Sequence, residues 1–288
     1  MAKILITGAN GQLGSEMEVV SKKYINIKYL FTDIDTLDLT NSEQTSDFIK
    51  TNRPDWIVNC AAYNLVDRAE SEPDKAMLIN GTAVKNISDA LTGFECKLIH
   101  ISSDYVYDGK ANAPYNEYSL PNPQSAYGRS KLAGEKNALL YPGSMVIRTS
   151  WLYSSFGNNF VKTILKNASE KESISVVTDQ TGTPTYAADL AEAIMLIISG
   201  VNRNQIVLNA GIYNYSNEGE CSWYDFASEI VKISGLTCKV NPILTKDFRQ
   251  DAKRPVYSVM NKSKIKENYG LSIPDWRISL EKCMKLLK

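Results

Sequence analysis

The chain has 288 residues, 43% apolar and 22% charged, which allows a sizeable core and is ordinary for a globular protein. Lys plus Arg equals Asp plus Glu at 32 each, so no basic face is offered to nucleic acid or to an anionic membrane. Five scattered cysteines without a C-x-x-C pair, and no apolar run of roughly 18 residues, argue against a disulfide scaffold, a zinc site and a membrane span.

Lys3 to Thr7 reads as a short apolar strand, too short for a secretion signal, so a soluble protein of the reducing cytoplasm is expected. The strand runs into Gly8-Ala9-Asn10-Gly11-Gln12-Leu13-Gly14, with a helix from Ser15 to about Lys23. Glycines between a strand and a helix let the backbone approach a pyrophosphate, which then meets the unpaired N–H groups of the helix N-terminus. The spacing is G-x-x-G-x-x-G rather than the commoner G-x-G-x-x-G, and tight strand–helix packing alone would also explain it. Ile25 to Thr32 is a second strand ending at Asp33, about twenty residues past the glycines, where an acid can bond a ribose 2′-hydroxyl and repel a 2′-phosphate. Asp33, Asp35 and Asp38 share one polar turn, and which of them faces the ribose is left open.

Ser42 to Thr51 predicts a helix capped at Thr40 or Asn41, Asp55 to Ala61 a buried parallel strand, Pro73 to Thr92 a helix, and Lys97 to Ser102 another strand. His100, the one histidine, lies inside that last strand and reads as a core residue. A loop rich in Pro, Asn and Tyr leads to a helix carrying Tyr127 and Lys131, and Ser144 to Arg148 is the next strand. This alternation predicts an α/β fold with a doubly wound parallel sheet, whose ligands gather at the carboxyl ends of the strands. Beyond Trp151 it loosens: helices at Asn159–Glu170, Asp189–Ser199, Trp223–Ser234 and Trp276–Leu287, strands at Ile174–Thr178 and Ile206–Ala210. Residues 1–150 are therefore expected to form the dinucleotide-binding domain, with 186–210 returning to it, and residues 151–288 mainly a substrate lobe. Trp223 and Trp276 read as core anchors of that lobe.

Tyr127 and Lys131 stand four apart, so on a helix they share a face. An ammonium beside a phenol lowers the phenol's pKa from about 10, which suits general acid–base work. An isolated pair of this kind also fits a half-buried Tyr and a solvated Lys. Together with the glycine turn and the serine pair Ser102-Ser103, it specifies carbonyl reduction. Ser103 can polarise the oxygen, Tyr127 can deliver the proton, and Lys131 can hold Tyr127 acidic. The hydride must come from a nicotinamide, and no metal is called for.

Gly8 to Gly14, Ser102-Ser103-Asp104-Tyr105-Val106-Tyr107-Asp108-Gly109 and Tyr127-Gly128-Arg129-Ser130-Lys131-Leu132-Ala133-Gly134-Glu135 resemble the extended short-chain dehydrogenase/reductases, and within them the dTDP-4-dehydrorhamnose reductases. The likeness continues through Asn59-Cys60-Ala61-Ala62-Tyr63, Arg148-Thr149-Ser150-Trp151, Asp179 to Thr185, Asn217 to Trp223, Arg254-Pro255 and Pro274-Asp275-Trp276, nearly the whole length. It implies a Rossmann domain with a small sugar-nucleotide lobe. The implied activity is NADPH- or NADH-dependent reduction of the 4-keto group of dTDP-4-dehydro-L-rhamnose to dTDP-L-rhamnose. Carried over residue by residue, Asn10, Gly11 and Gln12 would meet the pyrophosphate, with Gly8, Leu13 and Gly14 shaping the same turn. Asp38 and Leu39 would meet the adenine, and Asp33 stays a candidate for the ribose. Ala61, Ala62, Tyr63 and Ser102 would line the dinucleotide, and Lys131 would bond its nicotinamide ribose beside the proton donor Tyr127. Ser103, Asp104 and Trp151 would touch the dTDP-sugar; within the tyrosine-rich stretch Tyr105 to Tyr118, Tyr105 alone is a further candidate for sugar contact. The family usually has Thr at position 103, and the hydroxyl survives. Arg254 fits a diphosphate held bidentately or an ordinary packed turn equally well. Some members pair as homodimers through a magnesium-bridged acidic interface; no such site can be located in this sequence, so a homodimer rests on the resemblance alone.

Three rivals frame this reading. A sugar-nucleotide dehydratase of the superfamily carries an Asp-Glu pair where this chain has Asp104-Tyr105, so its elimination base is missing. A reductase or epimerase of another nucleotide-4-keto-sugar is disfavoured less. A non-catalytic regulatory subunit that binds the dinucleotide can lose its acid–base residues, yet this chain keeps Ser103, Tyr127 and Lys131.

Overall fold

The computed structural model describes residues 1–287. The first half alternates as β1 (Ala2–Thr7), α1 (Gln12–Ser21), β2 (Ile27–Thr32), α2 (Ser42–Asn52), β3 (Trp56–Asn59), α3 (73–90), β4 (Lys97–Ser103), α4 (Ala126–Ala138) and β5 (Ser144–Thr149). The second half brings α5 (Phe160–Glu170), β6 (Ser173–Val177), α6 (Ala187–Asn202), β7 (Gly211–Asn214), α7 (Trp223–Ser234), β8 (Lys239–Ile243), α8 (Ser263–Tyr269) and α9 (Trp276–Leu286). Six strands form one sheet in the order β7-β5-β4-β3-β1-β2, every pairing parallel. The chain leaves β1 toward β2 on one side and β3 on the other, so the strand order reverses between β1 and β3. Helices splay apart there and leave a crevice at the carboxyl ends.

The continuous apolar runs divide by strand periodicity. Ile4 and Ile6 of β1, with Val58, Ile99, Met145 and Ile147, face α1 and α6 in one core. Leu5, Ile57, Leu98 and Val146 face α3 and the end of α4 in the other. Both faces are covered, as a parallel sheet requires. A third core, with Tyr153, Val161, Ile164, Ile174, Val176, Phe226, Ile230, Trp276 and Leu280, holds together the smaller lobe. Trp276 is the buried anchor expected of it.

Two expectations are corrected. The expected helix from Pro73 is interrupted: Pro73–Met77 and Ala83–Ala90 are α-helical, and Leu78–Thr82 between them is a π-helical turn. The wider turn carries Asn80 inward, where its amide accepts from the Tyr63 N–H (2.8 Å) and donates to the Tyr63 carbonyl and the Ser130 hydroxyl. The strand expected at Ile206–Ala210 is also displaced, to Gly211–Asn214. Val207 is exposed while Ile206 and Leu208 lie along the edge of the first core, so that run has one apolar face only. Ile212 and Tyr213 instead offer one side chain to each core, which is what a strand of this sheet needs.

Candidate active site

The carboxyl ends of β1, β3, β4 and β5 open on a cavity of about 890 Å³. Gly8, Asn10, Gly11, Gln12 and Leu13 line it, as do Asp33, Asp38, Leu39, Ala61 and Ala62. On the side toward β4, α4 and the smaller lobe it is lined by Ser102, Ser103, Asp104, Tyr105, Tyr127, Lys131, Trp151 and Trp223. Eleven of the dispersed sequence candidates for the dinucleotide thus meet Tyr127 and Lys131 from the polar helix α4 and the four candidates Ser103, Asp104, Tyr105 and Trp151 for the substrate.

The glycine turn is built for close approach. Gly8 has φ +65°, and a Cβ there would sit 2.6 Å from the Ala61 backbone. Gly11 caps α1 without a side-chain hydrogen bond, so the first N–H groups of that helix are left for a ligand. The Asn10 N–H is held by Asp33 Oδ2 at 2.8 Å, while Asp38 accepts from both the Thr40 N–H and hydroxyl. Asp33 and Asp38 line the cavity and Asp35 does not, which narrows the choice the sequence left open. Behind Ala61, Asn59 Oδ1 accepts from the Ala61 N–H and from the Thr7 hydroxyl, while its amide meets His100 Nδ1 at 3.1 Å. His100 is fully buried, and burial drops its pKa well below the usual imidazole value. It is the core residue expected.

At the end of β4, Ser103 donates to Asp104 Oδ1 (3.0 Å) and accepts the Tyr105 N–H. Ser125 caps α4 by accepting the Gly128 N–H (3.1 Å), which starts the helix just before Tyr127. The Tyr127 hydroxyl reaches Asn64 Oδ1 at 3.4 Å, and the Tyr105 ring stands edge-on to Tyr127 at 5.3 Å. Lys131 is buried and donates to the Ile101 carbonyl at 2.7 Å. Burial pushes Lys131 down to about 8. It pushes Asp104 up to about 6.

The expected depression of Tyr127 by Lys131 is not found. Burial raises the Tyr127 phenol above its ordinary value, the neighbouring Ser103 hydroxyl works the other way, and the charge of Asp104 raises it further. The lysine's ammonium is turned to the main chain of β4, and its charge acts on His100 and Cys60 instead. Proton delivery by a high-pKa phenol remains sound chemistry, because a neutral Tyr127 holds the proton to be given.

Comparison with known proteins identifies the scaffold. A family model described as the RmlD substrate binding domain matches residues 2–288. A dTDP-4-dehydrorhamnose reductase of Aggregatibacter actinomycetemcomitans is 37% identical, the match covering 98% of each chain. The chain belongs to the dTDP-4-dehydrorhamnose reductase family. Among solved structures, a dTDP-4-dehydrorhamnose reductase of Clostridium acetobutylicum superposes with TM-score 0.92 at 40% identity, covering 99% of each chain. One from Bacillus anthracis, in complex with NADP, gives 0.91 at 38%, again over 99% of each.

Against this reductase scaffold, several candidates take other places. Gly14 does not line the cavity; a Cβ there would sit 2.3 Å from the Gly8 carbonyl oxygen, so its role is to let α1 pack on the turn. Tyr63 turns its ring away into a cluster with Ala69, Ala76 and Ala126, and its hydroxyl donates to Glu72 (2.8 Å). Ser102 lines the cavity, and its hydroxyl donates to Glu135 at 2.6 Å. Arg254 lies outside the cavity lining, and its guanidinium is forked onto Asp67 at 3.0 and 2.7 Å, as an Arg in a packed turn would be. Trp223, expected as a core anchor, lines the cavity and stacks on Trp151 with ring centroids 3.5 Å apart and planes 7° from parallel. Asn64 and Asn159 were also missed. Asn159, the N-cap of α5, ties the smaller lobe to the glycine turn through Gln12 (2.9 Å). No spacing rule marks such residues, because their partners lie far away in the chain.

Proposed function

We propose that this chain reduces the 4-keto group of dTDP-4-dehydro-L-rhamnose to dTDP-L-rhamnose with a nicotinamide dinucleotide. The observation that carries the reading is the gathering of Ser103, Tyr127 and Lys131 in one cavity with an uncapped helix N-terminus and a glycine that admits no Cβ. That cradle suits a pyrophosphate, with Gly8, Asn10, Gly11 and Gln12 around it and Asp33 or Asp38 on the adenosine ribose. Bound there, the dinucleotide supplies the hydride that no side chain can.

The chain's own residues do the rest. Ser103 donates to the carbonyl oxygen as negative charge develops there, exchanging its bond to Asp104 for one to substrate. Tyr127 gives the proton to that oxygen. Lys131, buried with its ammonium on the Ile101 carbonyl, would bond the nicotinamide ribose once the dinucleotide is bound. The stacked Trp151 and Trp223 form the wall against which the sugar lies. Position 105 is Tyr, its ring against Tyr127, so no carboxylate stands there to abstract the proton that dehydration requires. Five free cysteines support action in the reducing cytoplasm.

The test follows 340 nm absorbance with NADPH or NADH and dTDP-4-dehydro-L-rhamnose. Turnover identifies the reductase and its cofactor preference together. Dinucleotide binding without turnover of that sugar would favour a regulatory subunit, or a reductase of another nucleotide-4-keto-sugar.

A further inference from the structure

One turn beyond Lys131 on α4 stands Glu135, and the spacing Tyr127, Lys131, Glu135 puts all three on one helix face. Glu135 is buried in an ion pair whose partners are 1% and 2% exposed. Its Oε1 accepts from Arg148 Nε (2.8 Å) and the Ser102 hydroxyl (2.6 Å), and its Oε2 from Arg148 Nη2 (2.6 Å). Arg148 is anchored in turn through Nη1 to the Tyr107 hydroxyl at 2.9 Å. A buried pair of this kind is weak evidence for stability, because desolvation offsets the attraction. Its position invites another explanation.

Around Lys131, Cys60 and His100 sense its charge, Tyr127 lies one turn before it on α4, and none of the three supplies negative charge at neutral pH. Burial pushes the Cys60 thiol, at the end of β3, up to about 12. Burial keeps His100 on β4 neutral. Burial keeps the Tyr127 phenol protonated. Glu135 raises the lysine, opposing the burial that lowers it.

We propose that Glu135 is a positioning residue for the reduction: fixed by Arg148 and Ser102, it keeps the buried Lys131 protonated while Tyr127 delivers its proton. The inference rests on the reading of Tyr127 and Lys131 as the proton-delivery pair. Ser102 and Arg148 then serve to orient a carboxylate rather than to touch a ligand.

The test compares wild type with the double variant Glu135→Gln, Arg148→Met, which removes both charges and leaves neither partner buried alone. Lys131 is followed by NMR in protein carrying ¹³C-labelled lysine, its signal identified by its loss in Lys131→Met. The expected result is a titration midpoint moved from about 8 toward about 7, raising the neutral fraction at pH 7 about fivefold. An unmoved midpoint overturns the proposal. This readout needs no substrate, so it stands apart from failure of the enzyme to reduce any 4-keto sugar. In turnover, the variant's rate should fall at alkaline pH and recover toward pH 6, whereas an equal loss at every pH would mark Glu135 as merely structural. With Lys131→Arg in the background the pH-dependent part should vanish, since a guanidinium does not titrate in this range.

Discussion

Along the wall formed by β1, β3 and the start of α1, the cavity is lined by main chain: Gly8 lies against Ala61, and α1 begins on an uncapped Gly11. Across from it, the wall built from the segment after β5 and from α7 is made of side chains, with Trp151 lying flat on Trp223 and Phe160 tilted against the latter at 4.5 Å. On the main-chain wall any added side chain collides with backbone that cannot yield. On the aromatic wall rings can be exchanged without moving a strand. One wall is fixed by geometry and the other by packing. Substitutions on the two sides should therefore fail differently.

The largest effect belongs to neither wall but to the helix between them. Tyr127→Phe keeps the ring against Tyr105 and removes the proton; turnover should fall by roughly 10²–10⁴-fold with dinucleotide affinity unchanged, as read by steady-state kinetics and fluorescence titration. A variant keeping a tenth of wild-type turnover would remove Tyr127 from the mechanism. Next comes the main-chain wall. Gly8→Ala puts a Cβ 2.6 Å from the Ala61 backbone at a φ of +65°, so it should cost about 3 kcal/mol of stability and most of the dinucleotide affinity. A melting temperature and a binding isotherm equal to wild type would mean the turn is looser than its contacts imply.

Asp104 sharpens the comparison from the substrate side, because its cost is electrostatic. Burial lifts its carboxyl from 3.8 to about 6. A carboxyl raised on folding favours the folded state fully below its unfolded pKa, and that contribution is lost as pH rises through about 6. Asp104→Asn, which cannot ionise, should accordingly gain up to about 3 kcal/mol relative to wild type above pH 6, the difference vanishing below pH 4. Denaturant titrations at pH 4 and pH 7.5 measure it. A difference of the same size at both would show that ionisation of Asp104 is not its source.

What was legible in the chain beforehand follows the same division. The glycine turn and Tyr127–Lys131 are local patterns with spacings of three or four residues, so sequence alone exposed their place at the cavity, though not the direction in which the Lys131 ammonium turns. Five strands of the sheet were equally legible, because buried parallel strands are runs of apolar residues between short polar turns; the edge strand β7 was not, since the neighbouring run Ile206–Ala210 carries a similar apolar signal. The π-helical turn at Leu78–Thr82 was not: it exists to aim Asn80 at Tyr63, seventeen residues away, and at Ser130, fifty residues away. Arg254 looked equally suited to a phosphate or a packed turn until Asp67, 187 residues distant, claimed its fork. Tyr63 sits beside true cavity residues in the chain, yet its ring packs among Ala69, Ala76 and Ala126 and its hydroxyl reaches Glu72, partners that no local pattern announces. Local motifs announce main-chain contacts; side-chain walls are assembled from afar.

Trp223 is where that lesson gives the smallest and most particular prediction. Trp151 carries φ +48°, a left-handed backbone that a bulky residue adopts only when its surroundings hold it there. Stacking on Trp223 at 3.5 Å supplies part of that hold, and aromatic pairs contribute about 0.5–1.5 kcal/mol beyond burial. Trp223→Leu should keep the lobe core folded, because Phe226, not Trp223, is its fully buried aromatic on α7. It should loosen Trp151, so KM for the sugar nucleotide rises up to about tenfold while dinucleotide affinity and Tm hold. Were dinucleotide affinity to fall as well, the two walls would be one unit, joined through the Asn159–Gln12 bond, and the aromatic side could not be retuned independently of the glycine turn.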